Sequence, residues 1–143
     1  MAVKQIEKAT TTDSGFEIYG VPVSTVKMMG FIEHSEEHAT NKIYSINDGT
    51  GSIQCVFYTG ENSVTYPNYS YVKVFGTIRV IEGVTKIMLY HMVEVQNMDE
   101  VTYHILDCIH HFCKLTKTEK NSTVCKFIMH LHHYIFYYYY YFP

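Results

Sequence analysis

Lys42-Ile43-Tyr44-Ser45-Ile46-Asn47-Asp48-Gly49-Thr50-Gly51-Ser52-Ile53-Gln54-Cys55-Val56-Phe57-Tyr58 holds two alternating, β-rich runs on either side of a turn. The turn, Asn47 to Gly51, is dense in residues that tolerate positive φ, so the stretch predicts a β-hairpin. Tyr44 and Ile46 alternate with Ile43 and Ser45, and Ile53, Cys55 and Phe57 with Gln54, Val56 and Tyr58, so one face can be buried and the other shown.

Outward from this hairpin the chain supplies more strands. Phe16 to Gly20 leads into Val23, Val26, Met29, Phe31 and Ile32, a long strand with a kink or bulge expected near Gly30. A polar loop, His34 to Asn41, joins it to the hairpin. After Tyr58 a connection runs from Thr59 to Asn68. Tyr69 to Ile81 follows, with Val72, Val74, Ile78 and Val80 on one face and Tyr71, Lys73, Phe75, Thr77 and Arg79 on the other. Glu82-Gly83 reads as a tight turn, and Val84 to Val95 returns to complete a second hairpin. Residues 1–15 are read as an N-terminal arm and 16–96 as the barrel.

Helix comes only after the sheet. Asn97 is placed to cap a first turn, with Glu100 three residues on. Val101, Ile105, Cys108, Phe112 and Leu115 recur at helical spacing, and Leu106 and Ile109 widen the stripe. So broad an apolar face on residues 97–116 exceeds what a small barrel covers, which points to an interface with another chain. Residues 117–143 end in five consecutive tyrosines and read as a low-complexity or aberrant tail. The apolar part of that tail falls short of the roughly 20 residues of a membrane span, and no membrane partner is expected.

The 143 residues suffice for one domain, and a hydrophobic fraction of 47% suffices for a core. The net charge of -3 argues against strong nonspecific phosphate binding, so any nucleic-acid contact leans on stacking. The first residues lack an apolar h-region, so Cys55, Cys108, Cys113 and Cys125 are expected as free thiols in a reducing compartment. His104, Cys108, His111 and Cys113 invite a metal reading, but no Cys-x-x-Cys is present and these positions lie in or beside the apolar stripe. Packing is the preferred account, with no metal and no cofactor. The chain contains no phosphate loop, no Gly-x-Ser-x-Gly and no paired carboxylates outside loops, which argues against an enzyme.

Five strands and a following amphipathic helix predict an all-β, five-stranded OB-fold Greek-key barrel. Ala2 to Ile6, Phe16 to Gly20, Tyr44 to Gly51, Tyr71-Val72-Lys73-Val74-Phe75-Gly76 and Asn97 to Leu106, in that order, resemble the central OB domain of the middle subunits of replication protein A over about residues 2–116. The resemblance implies a nuclear heterotrimer that binds single-stranded DNA in replication, repair and recombination. It further implies that the helix joins the large and small subunits in a three-helix bundle, through Val101, Ile105, Cys108, Ile109, Phe112 and Leu115. It sets the family's stacking aromatic, usually Trp, on Tyr58, and a second one on Ile81, which leaves that second contact in doubt. The family's N-terminal phosphorylation segment and C-terminal winged helix have no counterpart in these residues, so reduced regulation and recruitment are expected.

The expected nucleic-acid set is Tyr58, Lys73, Phe75, Arg79 and Lys42. For Tyr58 the alternative is a surface aromatic in a cross-strand pair; for Lys73, Phe75 and Arg79 it is an ordinary solvated strand. Tyr44 is assigned to the core. Two other functions compete: a related telomere-capping OB subunit, and a tRNA-binding OB appendage of a synthetase.

Overall fold

The computed structural model describes residues 1–58 and 64–116; the expected tail at 117–143 lies outside them. The elements are α1 (Val3–Ile6), β1 (Thr10–Thr12), β2 (Gly15–Ile18), β3 (Val21–Val23), β4 (Thr25–Glu37), β5 (Asn41–Asn47), β6 (Ser52–Tyr58), β7 (Tyr71–Ile81), β8 (Val84–Glu94) and α2 (Met98–Leu115). Five strands close a barrel in the order β4-β5-β6-β8-β7, and β1-β2-β3 form a separate small sheet. This is the five-stranded OB-fold expected from the sequence. Residues 1–96 form one compact unit and α2 begins a second.

Two hairpins set the registers. Asp48 Oδ1 accepts from the Thr50 amide at 2.8 Å and the Thr50 hydroxyl at 2.7 Å, and Gly49 takes φ +87°. Glu82 and Gly83 both adopt positive φ, +53° and +77°. That is the two-residue mirror-image turn, whose twist matches the strands it joins. Closure then comes from the parallel pairing of β6 with β8, Gln54↔Lys86 through Phe57↔Leu89.

The long first barrel strand departs from expectation at both ends. Its start is interrupted, because Phe16 to Val23 fold into the β2-β3 hairpin before β4 begins. Its end runs on to Glu37, through residues expected in the polar loop. β4 pairs with β7 over Thr25 to Phe31 and with β5 over Phe31 to Glu37, with a register shift between Ile32 and His34. One strand serving two neighbours must coil at the crossing, and a bulge supplies the bend. At Gly30 a Cβ would stand 2.5 Å from the Asn47 carbonyl oxygen, so no larger residue fits that crossing.

The N-terminal residues, expected as an arm, enter the core. Val3 and Ile6 are fully buried with Val26, Met28, Ile32, Tyr44, Ile46, Ile53, Cys55, Val72, Val74, Ile78, Ile87 and Leu89. The central hairpin turn anchors them: the Val3 amide donates to Asp48 Oδ2 at 2.8 Å and the Lys4 amide to Thr50 Oγ1 at 3.2 Å. Val80, expected inside, is exposed. The β4-β7 pairing stops at Thr77 and the β6-β8 pairing starts at Lys86, so the tip of the β7-β8 hairpin overhangs the barrel and leaves Val80, Ile81 and Val84 uncovered.

In α2, Asn97 caps as expected, its side chain accepting from the Asp99 amide at 2.9 Å. The expected stripe is not uniformly covered. Cys108 is buried, Val101, Ile109 and Leu115 are half-buried, and Ile105 and Phe112 are 51% and 38% exposed. Among the described residues no helix is long and apolar enough to cross a membrane. Cys55 and Cys108 are free thiols, but Cys113 is disulfide-bonded. That corrects the expectation of free thiols throughout: a disulfide depends on two Cα atoms lying within about 7 Å, which linear spacing does not reveal.

Candidate nucleic-acid interface

Strand alternation places the expected residues, and the barrel sorts them into two groups. On β6, Ile53 and Cys55 point inward, while Gln54 and the terminal Tyr58 point outward. Tyr58 pairs with Asn41 and lies one residue past the last β6-β8 pair. The residue is 63% exposed, a geometry open to a stacking base.

Arg79 is exposed on β7, directly opposite Lys86 on β8, and Lys86 is also opposite Gln54 on β6. Like charges directly opposite across a ladder repel, and an anion between them would reverse the sign of that contact. Lys86 was missed at the level of sequence although the signal was present: a two-residue turn at 82 and 83 pairs 79 with 86 by counting. Tyr58 lies four residues along β6 from Gln54, about 13 Å at the strand rise of roughly 3.3 Å per residue. The aromatic and the cation pair therefore bracket the outer face of β5 and β6, on which Ile43 and Ser45 also lie.

Lys73 and Phe75 form the second group. They are half-buried on the outer side of β7, alternating with buried Val72 and Val74. Phe75 packs across the strand pair on His91, ring centroids 5.7 Å apart, and Phe31 meets Tyr71 at 6.0 Å on the adjoining strands. The face is an aromatic one with Lys73 between Tyr71 and Phe75.

Lys42 does not belong to either group. It is 4% exposed, its ammonium donates to Thr65 Oγ1, and Glu37 Oε1 lies 3.3 Å away. On β5 it shares the inward parity of Tyr44 and Ile46, so a phosphate would have to draw a buried ammonium away from Thr65 and from the exposed Glu37 carboxylate to reach it. Glu33 contributes negative charge to the hairpin surface: hydrogen bonds from Ser52 and Asn47 hold its carboxyl below the ordinary range.

On α2 the four residues of the metal reading do not converge as ligands. His104 Nε2 and Cys108 Sγ are 3.4 Å apart, and Cys113 is committed to its disulfide. His111 turns instead to Asp107, with Nδ1 3.3 Å from the carboxylate and 3.0 Å from the backbone carbonyl. That side-chain hydrogen bond raises the imidazole pKa above its ordinary value.

No family model matches the chain. The 32 kDa subunit of replication protein A from Rattus norvegicus is 32% identical over 129 residues, covering 85% of this chain and 47% of that protein. The chain thus spans about half the length of the curated relatives it matches. Among solved structures, a chain of a replication protein A heterotrimer bound to single-stranded DNA superimposes with a TM-score of 0.74 at 26% identity, over 80% of this chain and 94% of that one. A chain of the Schizosaccharomyces pombe Stn1-Ten1 complex gives 0.76 at 16% identity, over 85% and 95%, a likeness of fold.

Proposed function

The barrel and helix belong to the family of replication protein A 32 kDa subunits, and from that premise we propose that the chain is a non-enzymatic, single-stranded DNA-binding and assembly subunit of a nuclear replication protein A heterotrimer. Its place is in DNA replication, repair and recombination. One observation carries the reading: a chain taken from such a heterotrimer on single-stranded DNA matches 80% of this chain over 94% of its own length. The identity to the 32 kDa subunits favours it over a telomere-capping subunit or a synthetase appendage.

In this reading a strand crosses the outer face of β5 and β6. A base stacks on Tyr58, an interaction worth about 1–3 kcal/mol, and a phosphate lies between Arg79 and Lys86. Lys73 and Phe75 extend the path on the β7-β8 face. The helix docks to the large and small subunits in a three-helix bundle, where the exposed Ile105 and Phe112 become buried.

Co-expression with the two partner subunits and fluorescence titration with oligo-dT test both halves. Tyr58→Ala is expected to weaken binding within the intact trimer, and Ile105→Asp with Phe112→Asp to release the chain from it. Full assembly of the double Asp variant would refute the helix role. Unchanged titration with Tyr58→Ala would refute stacking.

A further inference from the structure

A pocket of about 170 Å³ opens beside the end of β6, lined by Tyr44, Phe57, Val64, Tyr66, Tyr90, His91 and Met92. Neither of the two groups of strand-face residues accounts for it. Tyr44 is 1% exposed, and its hydroxyl is buried with no hydrogen-bond partner among the described residues. An orphaned buried hydroxyl costs about 1–3 kcal/mol, so its presence beside an open pocket calls for a ligand atom. The Tyr66 hydroxyl is already committed, donating to the Met92 carbonyl at 2.7 Å. Tyr90 falls at the register shift, since Phe75 pairs with His91 and Gly76 with Leu89; a bulge there re-aims a side chain.

We propose that this pocket is a recognition site for the guanidinium of an arginine side chain on a partner polypeptide. The volume suits it: a cavity of roughly 150 Å³ holds a benzene molecule of six heavy atoms, close to a guanidinium and its adjoining methylenes. The lining suits it, because tyrosine, phenylalanine and imidazole rings offer the faces on which Arg stacks. A guanidinium N–H donates to Tyr44 Oη and removes the orphan. The charge does not oppose it: no Lys or Arg lines the pocket, so a cation entering it meets no like charge on the wall.

The test titrates the isotopically labelled full chain with N-acetyl-arginine amide, with its neutral isostere N-acetyl-citrulline amide, and with thymidine, reading amide NMR shifts. Saturable shifts at Tyr66, Tyr90, His91 and Met92 are expected with arginine, and binding at least tenfold weaker with citrulline. Tyr44→Phe keeps the ring and is expected to weaken arginine about tenfold, the factor of a hydrogen bond to a charged group. Val64→Trp, at an exposed rim position, is expected to plug the mouth and abolish the response. Equal response to citrulline, a response to thymidine without one to arginine, no shift at all, or arginine binding unchanged in both variants would overturn the assignment.

Discussion

Gly76 stands in the inward, buried row of β7 with Val72, Val74 and Ile78, at the register shift with β8. A Cβ there would stand 2.4 Å from the Met88 carbonyl oxygen and 2.6 Å from Ile87 Cγ2. Backbone oxygen cannot swing aside as a flexible side chain does, so Gly76→Ala forces the two strands apart. The expected cost is about 1–3 kcal/mol, the usual range for overpacking, read as a lower denaturation midpoint with an unchanged slope. A midpoint equal to the parent's would mean that the crossing is looser than its geometry. The same scale shows where sequence runs out. Arg79 could be assigned to the surface by alternation alone, and so could Tyr58. Alternation with Tyr44 and Ile46 sets Lys42 on the inward row as well, but the partners of its ammonium, Glu37 and Thr65, one of them 23 residues distant in the chain, could not be read from it.

At the scale of elements, local signals were legible and nonlocal ones were not. Asn47 to Gly51 and Glu82-Gly83 announced both hairpins, because turn chemistry is written in adjacent residues. The β1-β2-β3 sheet was hidden: strands of three and four residues such as Thr10–Thr12 are too short to show a period. For α2 the spacing gave the stripe but not its cover, since periodicity names a face and not what lies against it. The helix also carries a pH-dependent contact. His111 bonds Asp107, and that hydrogen bond holds its folded pKa above the ordinary imidazole value of 6.5. The charged ring therefore stabilises the folded helix fully below that value, and the contribution fades as pH rises through the folded pKa. Thermal midpoints of the full chain at about pH 6 and pH 8 are expected to differ more for the parent than for Asp107→Asn. An identical difference in both proteins would remove the contact from the account.

For the molecule as a whole, barrel closure was the part least visible in the sequence, because β6 and β8 pair in parallel across the intervening strand β7. That closure brings scattered residues together: it sets Lys86 beside Gln54 and opposite Arg79, on the face that Tyr58 borders. With a net charge of -3 the chain holds few cations to neutralise phosphate, so removing two that act together has a measurable electrostatic signature. Each phosphate neutralised on a single strand contributes about -0.7 to the slope of log affinity against log salt. Arg79→Ala combined with Lys86→Ala is expected to make that slope shallower by roughly 0.7 if the pair shares one phosphate and by about 1.4 if each holds its own. Tyr58→Ala is expected to lower affinity by about 1–3 kcal/mol with the slope intact, because stacking releases no counterion. Oligo-dT titrations of the proposed trimer across a salt series separate the two effects. A slope unchanged by the double variant would remove the cation pair from the interface, and a slope changed by Tyr58→Ala would mean that the ring positions the backbone rather than stacks on a base.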